Sequence, residues 1–320
     1  KSEIRTTVEE LLKNFDEAGS FLNLSSPGLT APVFAPQQIV AGRFRVIRQI
    51  AGGGMGEVYE VFDERLSLRV ALKTIRTDLS ARSDAYERFK REVWIAREVP
   101  HEGICRIFEL IEHAVPNAED GRVIPCITMK LLDGHDLQEE LRRRRPLPLN
   151  EALAIATQTC AALQSLHDHG IIHRDLKPSN IMLVPDPEGN RRVVLTDFGL
   201  ARRKDQLSLT LDTGDDKPGA PYFQAPELLK GDWETPASDL YALGLVIDEM
   251  VTQSPAFTAE SVHAIYWQRL REKPIPPSKR SEGLPLSWER VILKCLATDP
   301  AKRYPSPREL LADLQAVGRP

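Results

Sequence analysis

The stretch Ile171–Val184, IIHRDLKPSNIMLV, places an aspartate, a lysine and an asparagine, Asp175, Lys177 and Asn180, within a few residues of one another. Upstream, NEALAIATQTCAALQSLHDHG repeats apolar residues at helical spacing, and downstream Ile181–Val184 and Arg192–Thr196 read as a pair of short strands. The polar groups therefore fall in a short loop between a helix and a strand. A carboxylate there can accept a hydroxyl proton, an ammonium can neutralise a migrating anion, and an amide carbonyl can face a divalent cation. The following segment, VVLTDFGLA, sets Asp197 at a strand end just before a glycine, where a second carboxylate can hold metal.

Working outward, QIAGGGMGEVYE at Gln49–Glu60 crowds Gly52, Gly53, Gly54 and Gly56 between strand-like segments. Each glycine costs about 0.5–1 kcal/mol relative to alanine in regular structure, so bare backbone is needed there. A dinucleotide-binding turn would continue into a helix; this one continues into a strand, which reads as a hairpin lying over a ligand. Beyond Val58, Lys73 stands in the apolar strand VALK, an odd place for a surface lysine, where its ammonium can meet phosphates under the hairpin. Asp84–Val99 reads as a helix with Tyr86, Phe89, Val93 and Ala96 on one side. Glu92 sits beside that stripe, positioned to swing toward Lys73, although alone it reads as an ordinary solvated helix charge. Oxygen ligands and lysines converging on one cleft point to phosphoryl transfer.

Texture divides the chain into residues 1–42, a helix with a proline-rich linker; 43–132, a β-rich part with one main helix; and 133–320, mostly helical. Ile4, Val8, Leu11, Leu12 and Phe15 share one helix face, which suits a packing extension or a self-association arm. A cleft is expected at the junction of the two larger parts. The net charge of −4 announces no nucleic-acid partner, and the four cysteines show neither a disulfide framework nor metal-ligand spacing, which fits a reducing, cytoplasmic setting. No apolar run is long enough to span a membrane, so no membrane contact is expected within this segment. The chain opens on lysine, which suggests a piece of a longer parent, with membrane anchoring of that parent left open. Arg142–Arg145 form a basic run that reads as a solvated face, with docking of acidic segments as the alternative.

Over about residues 43 to 310 the sequence resembles the eukaryotic-type protein kinase family, with motifs in the family order, and is most similar to bacterial serine/threonine kinases. The resemblance implies an α+β, bilobal fold with a small β-rich N-lobe and a larger helical C-lobe. It implies a serine/threonine protein kinase using ATP and Mg²⁺ on protein hydroxyls and on itself. A nucleotide-binding or scaffolding pseudokinase is the alternative. Carried over by position, Lys73 binds the α and β phosphates and pairs with Glu92. Asp175 is the base, Lys177 contacts the γ-phosphate, and Asn180 and Asp197 hold Mg²⁺. Val58, Ala71 and Met182 sandwich adenine, Met129 is the gatekeeper, backbone groups of Lys130 and Leu132 bind adenine, and Asp136 reaches the ribose. Glu227 pairs with Arg303, and Asp239 braces the catalytic loop.

Two departures stand out. In the family's glycine pattern the register gives Ala51, Gly53 and Gly56, so the usual first glycine is alanine. Its methyl need not clash if φ is negative. Ala220 replaces a threonine that normally supports the catalytic aspartate and lysine. Ser208, Thr210 and Thr213 are candidate phosphorylation sites, and Asp215 and Asp216 are acidic stand-ins for phosphate or a plain solvated turn.

Overall fold

The computed structural model describes residues 32–53, 56–75, 84–115, 123–186, 188–189, 191–198, 220–259 and 261–317. The chain divides into two compact units, residues 1–35 and 36–320. The second carries every element named below. The expected N-terminal helix lies outside the described residues.

β-branched and aromatic residues alternating through the first part build one antiparallel sheet in the order β1-β2-β3-β4-β6-β5. Its strands are β1 (Ile39–Val40), β2 (Phe44–Gly53), β3 (Gly56–Asp63), β4 (Leu68–Thr74), β5 (Ile107–Ala114) and β6 (Val123–Met129). Val46, Tyr59, Val61, Leu72 and Ile127 are fully enclosed. Strand β1 falls in the stretch expected to be linker: two residues are too few to show a period, but Ile39 and Val40 pair with Arg45 and Phe44. Helix α1 (Asp84–Arg97) buries Tyr86, Phe89, Val93 and Ala96 as its spacing requires.

Past the crossover at Lys130–Leu132, β7 (His135–Asp136), β8 (Ile181–Pro185) and β9 (Arg191–Leu195) form a small second sheet. Around it stand α2 (Leu137–Arg143), α3 (Leu149–Asp168), α4 (Pro226–Leu229), α5 (Pro236–Val251), α6 (Val262–Arg271), α7 (Leu286–Cys295) and α8 (Pro307–Val317). Helix α5 is apolar nearly all round and is enclosed by the others. The loop leading into β5 is tied to β9: Cys105 N–H donates to the Leu195 carbonyl at 2.9 Å and Leu195 N–H to the Gly103 carbonyl at 2.8 Å. Among the described residues, no helix is long and apolar enough to cross a membrane.

In the basic run Arg142 and Arg143 are exposed, as a solvated face requires, while Arg144 and Arg145 are partly buried. Arg144 donates to Glu140 and Glu151, Arg143 reaches Glu139, and Arg145 bonds the Thr252 carbonyl and Glu249. Arg144 and Arg145 fasten the end of α2 to α3 and α5 through Glu151 and Glu249, which the fold brings to face them, whereas Arg143–Glu139 and Arg144–Glu140 are local pairs four residues apart.

Candidate active site

The loop between α3 and β8 is held from below by one carboxylate. Asp239, buried on α5, accepts the backbone N–H groups of His173 at 2.8 Å and Arg174 at 2.9 Å, and its Oδ2 also meets His167 Nε2. This brace tolerates a left-handed backbone at Arg174, φ 67°, a conformation that costs a non-glycine residue about 1–3 kcal/mol. The fully buried His173 ring faces Phe198 edge-on at 6.3 Å between centroids. Burial pushes its pKa down, so it packs there as a neutral imidazole.

Above the brace, Asp175, Lys177 and Asn180 come together. Lys177 Nζ lies 2.8 Å from Asp175 Oδ2, and Asn180 Nδ2 donates to Asp175 Oδ2 at 3.0 Å and to the Asp175 carbonyl at 2.7 Å. A short 3-10 turn at Pro178–Asn180 sets this spacing, with the proline at its first position. Thr196 N–H donates to the Asn180 carbonyl at 3.0 Å, which places the next residue, Asp197, beside the loop. Asp197 also adopts positive φ, 59°.

The expected ion pair between Lys73 and Glu92 is not formed. Lys73, on β4 and almost fully buried, instead sets its Nζ 2.8 Å from Asp197 Oδ1. Glu92 turns to Arg174, whose Nη1 lies 3.2 and 3.1 Å from its two oxygens. A buried ammonium needs a near carboxylate more than the half-exposed Glu92 needs a cation, so the closer and less exposed Asp197 takes the lysine.

The hairpin register matches the shifted glycine pattern. Ala51 pairs with Val58 and Gly53 with Gly56, and Ala51 lies within strand β2, where its methyl is accommodated. Gly56 has a second constraint that sequence did not reveal: its φ is 130°, and an added Cβ would stand 2.2 Å from the Thr74 carbonyl oxygen. Ala71 and Met129 are register partners across β4 and β6, and Val58, Leu132 and Met182 pack against the core that contains them. At the crossover, Lys130 N–H is already donated to the Arg106 carbonyl at 2.9 Å. Only the carbonyl of Lys130 is left for a ligand, and it carries just a weak bond from the Cys105 thiol. Asp136 does more than face a sugar: its Oδ1 caps α2 by accepting Glu139 N–H at 2.7 Å.

Sequence reasoning missed Glu140, a buried carboxylate beneath β7. It accepts from His135 Nε2 at 2.7 Å, Arg191 Nη1 at 2.7 Å and Arg144 Nε at 2.6 Å. Burial alone would push its pKa up, but these hydrogen-bonded partners hold it at about 2. No local motif marks it, since Arg191 is distant in sequence. Further along, Arg303 meets Glu227 through two bonds of 2.6 and 2.7 Å, both groups buried, as the motif spacing implied. Ser208, Thr210, Thr213, Asp215 and Asp216 lie outside the described residues, as does the side chain of Ala220.

A two-lobed fold with an aspartate, two lysines and an asparagine at the junction of its sheets defines a phosphotransferase-type domain. The family described as protein kinase domain matches residues 44–314, and the chain belongs to that family. It is 36% identical over 83% of its length to the serine/threonine-protein kinase PknB of Mycobacterium leprae, and 34% identical over 88% to PknB of Mycolicibacterium smegmatis. The solved kinase domain of Mycobacterium tuberculosis PknI is similar with a TM-score of 0.67 and 29% identity, covering 89% of this chain and 99% of that one. The chain spans only 41% and 44% of the two PknB sequences. The domain is a protein kinase domain, similar to those of these serine/threonine kinases, and its family generally uses ATP and Mg²⁺.

Proposed function

We propose that this domain transfers the γ-phosphoryl group of ATP to serine or threonine hydroxyls of proteins, itself included, with Asp175 as the base. The observation that carries the reading is the three-residue cluster in which Lys177 and Asn180 both hold Asp175 Oδ2. Asp175 also shares the lining of a small cavity with Phe223, Gln224 and Ser238, so the segment carrying Phe223 and Gln224 lies beside the base. Holding the carboxylate in one orientation aligns the hydroxyl for in-line attack, which is most of what a phosphoryl-transfer site supplies. Lys177, beside that carboxylate, would balance charge on the migrating group.

Val58, Ala71, Met129, Leu132 and Met182 offer apolar faces for adenine, the Lys130 carbonyl an acceptor for its amino group, and the second oxygen of Asp136 a partner for ribose. Ala51, Gly53 and Gly56 bring the hairpin backbone over the phosphates, and Lys73 binds the α and β phosphates. The donors of Asn180 and Asp197, an amide oxygen and a carboxylate, suit a hard cation that keeps most of its ligands from water and phosphate. These two residues would hold Mg²⁺, which when bound neutralises phosphate charge. Once a nucleotide engages Lys73, Glu92 on α1 would exchange Arg174 for Lys73 as its partner. Autophosphorylation on Ser208, Thr210 or Thr213, self-association through residues 1–42 and a cytoplasmic setting belong to the same reading. Four free, buried cysteines suit a reducing compartment.

The test incubates the chain with labelled ATP, Mg²⁺ and a generic basic protein. Transfer should fall by about 10²–10⁴ in Asp175→Asn. Transfer no greater than that variant's would overturn the enzymatic reading in favour of a binding module.

A further inference from the structure

Helix α6 carries Arg269, an arginine only 3% exposed. Its Nη1 donates to the Gln224 carbonyl at 3.2 Å, its Nη2 donates to the Tyr222 carbonyl, and its guanidinium carbon stands 5.6 Å from the centre of the Phe257 ring. Burial pushes its pKa down, with Tyr241, Tyr266 and Tyr222 opposing that shift. A cation kept in so enclosed a place against that desolvation cost directs two donors at the backbone of one short 3-10 turn, Ala220–Phe223, and the residue after it. Phe223 and Gln224 line the same pocket as Asp175 and Ser238.

We infer that Arg269 is a positioning residue for the protein substrate: it fixes the Tyr222–Gln224 backbone that forms the wall on which the polypeptide rests while its hydroxyl reaches Asp175. The inference rests on the kinase reading of the site. Two lines follow from the geometry. Arg269 lies on α6 and donates to the Tyr222 and Gln224 carbonyls, so its loss bears on the segment beside Asp175. Ala71, Met129 and Met182, proposed to face adenine, belong to β4, β6 and β8. A lysine at 269 keeps the charge and can serve one carbonyl, whereas methionine serves neither.

The experiment measures KM for a peptide substrate, KM for ATP and kcat in the wild type, Arg269→Lys and Arg269→Met. It is joined to hydrogen exchange at the Phe223, Gln224 and Ala225 amides. Arg269→Met should raise peptide KM about tenfold with ATP KM unchanged, Arg269→Lys should recover part of that loss, and exchange should quicken at those amides. If Arg269→Met does not fold, the lysine variant carries the test, with peptide KM raised about threefold at constant ATP KM. Peptide and ATP KM rising together, an unchanged peptide KM in a folded variant, or unchanged exchange would overturn the inference. A wild type that transfers no phosphate would instead sink the kinase reading, and the exchange data would still decide whether Arg269 orders the turn.

Discussion

At the scale of single residues, the glycines of the hairpin separate by what stands next to each. An added Cβ at Gly52 would meet Gln49 Nε2 at 2.7 Å, the far end of a flexible side chain that can move. At Gly56 it would meet the Thr74 backbone carbonyl at 2.2 Å, from a φ of 130° that side chains avoid. Gly56→Ala should therefore cost about 1–3 kcal/mol and raise ATP KM, while Gly52→Ala should stay within about 0.5 kcal/mol; thermal melts and ATP titrations check both. Sequence made the glycine cluster visible and tied it to phosphate approach. It could not reveal that one of them is held by the neighbouring strand, because that depends on β3–β4 register. Asp175, Lys177 and Asn180 were legible for the opposite reason: they lie within one loop, so their spacing nearly fixes their geometry. Glu92 and Lys73 lie on different elements, and there the partner choice went to whichever carboxylate the fold brought nearer.

At the scale of elements, long periodic segments were readable. Helix α1, α3 and α5 fall where apolar spacing put them, and Ile181–Pro185 pairs with Arg191–Leu195 as the two short runs suggested. The two-residue strands β1 and β7 were not, since they exist only through their partners. Helix α2 shows how charge does what periodicity cannot: Glu140 gathers His135, Arg144 and Arg191 and so ties α2 to β7 and β9, next to Asp136. The folded carboxyl, at about 2, lies below its ordinary 4.5. Its stabilising contribution is therefore present above pH 4.5 and lost as pH falls from 4.5 toward 2. Glu140→Gln should lower stability at pH 7 by about 3 kcal/mol, and the gap to wild type should narrow below that window. Urea midpoints measured at several pH values decide it; a gap that stays constant through the acid range would refute the assigned role.

At the scale of the whole molecule, the order of a β-rich lobe followed by a helical one was plain from texture, whereas the state of the cleft between them was not. Lys73 belongs to the six-stranded sheet and Asp197 follows the last strand of the small sheet, so their 2.8 Å ion pair links the two lobes. Both groups are the ones that nucleotide and metal would claim. Phosphates arriving without a cation must compete with the Asp197 carboxylate for the lysine, and they bring their own negative charge next to it. On the proposed reading, bound Mg²⁺ would give the carboxylate another partner and leave Lys73 free for the phosphates. Nucleotide affinity in the wild type should therefore rise steeply with Mg²⁺. In Asp197→Asn, where the competing charge is gone, a non-hydrolysable ATP analogue should bind without Mg²⁺ at least as tightly as to wild type, gain little from added Mg²⁺, and support no transfer. Calorimetric titrations with and without chelator measure both arms. An Asp197→Asn domain that keeps the wild-type Mg²⁺ dependence would show that the Lys73–Asp197 pair does not gate the site.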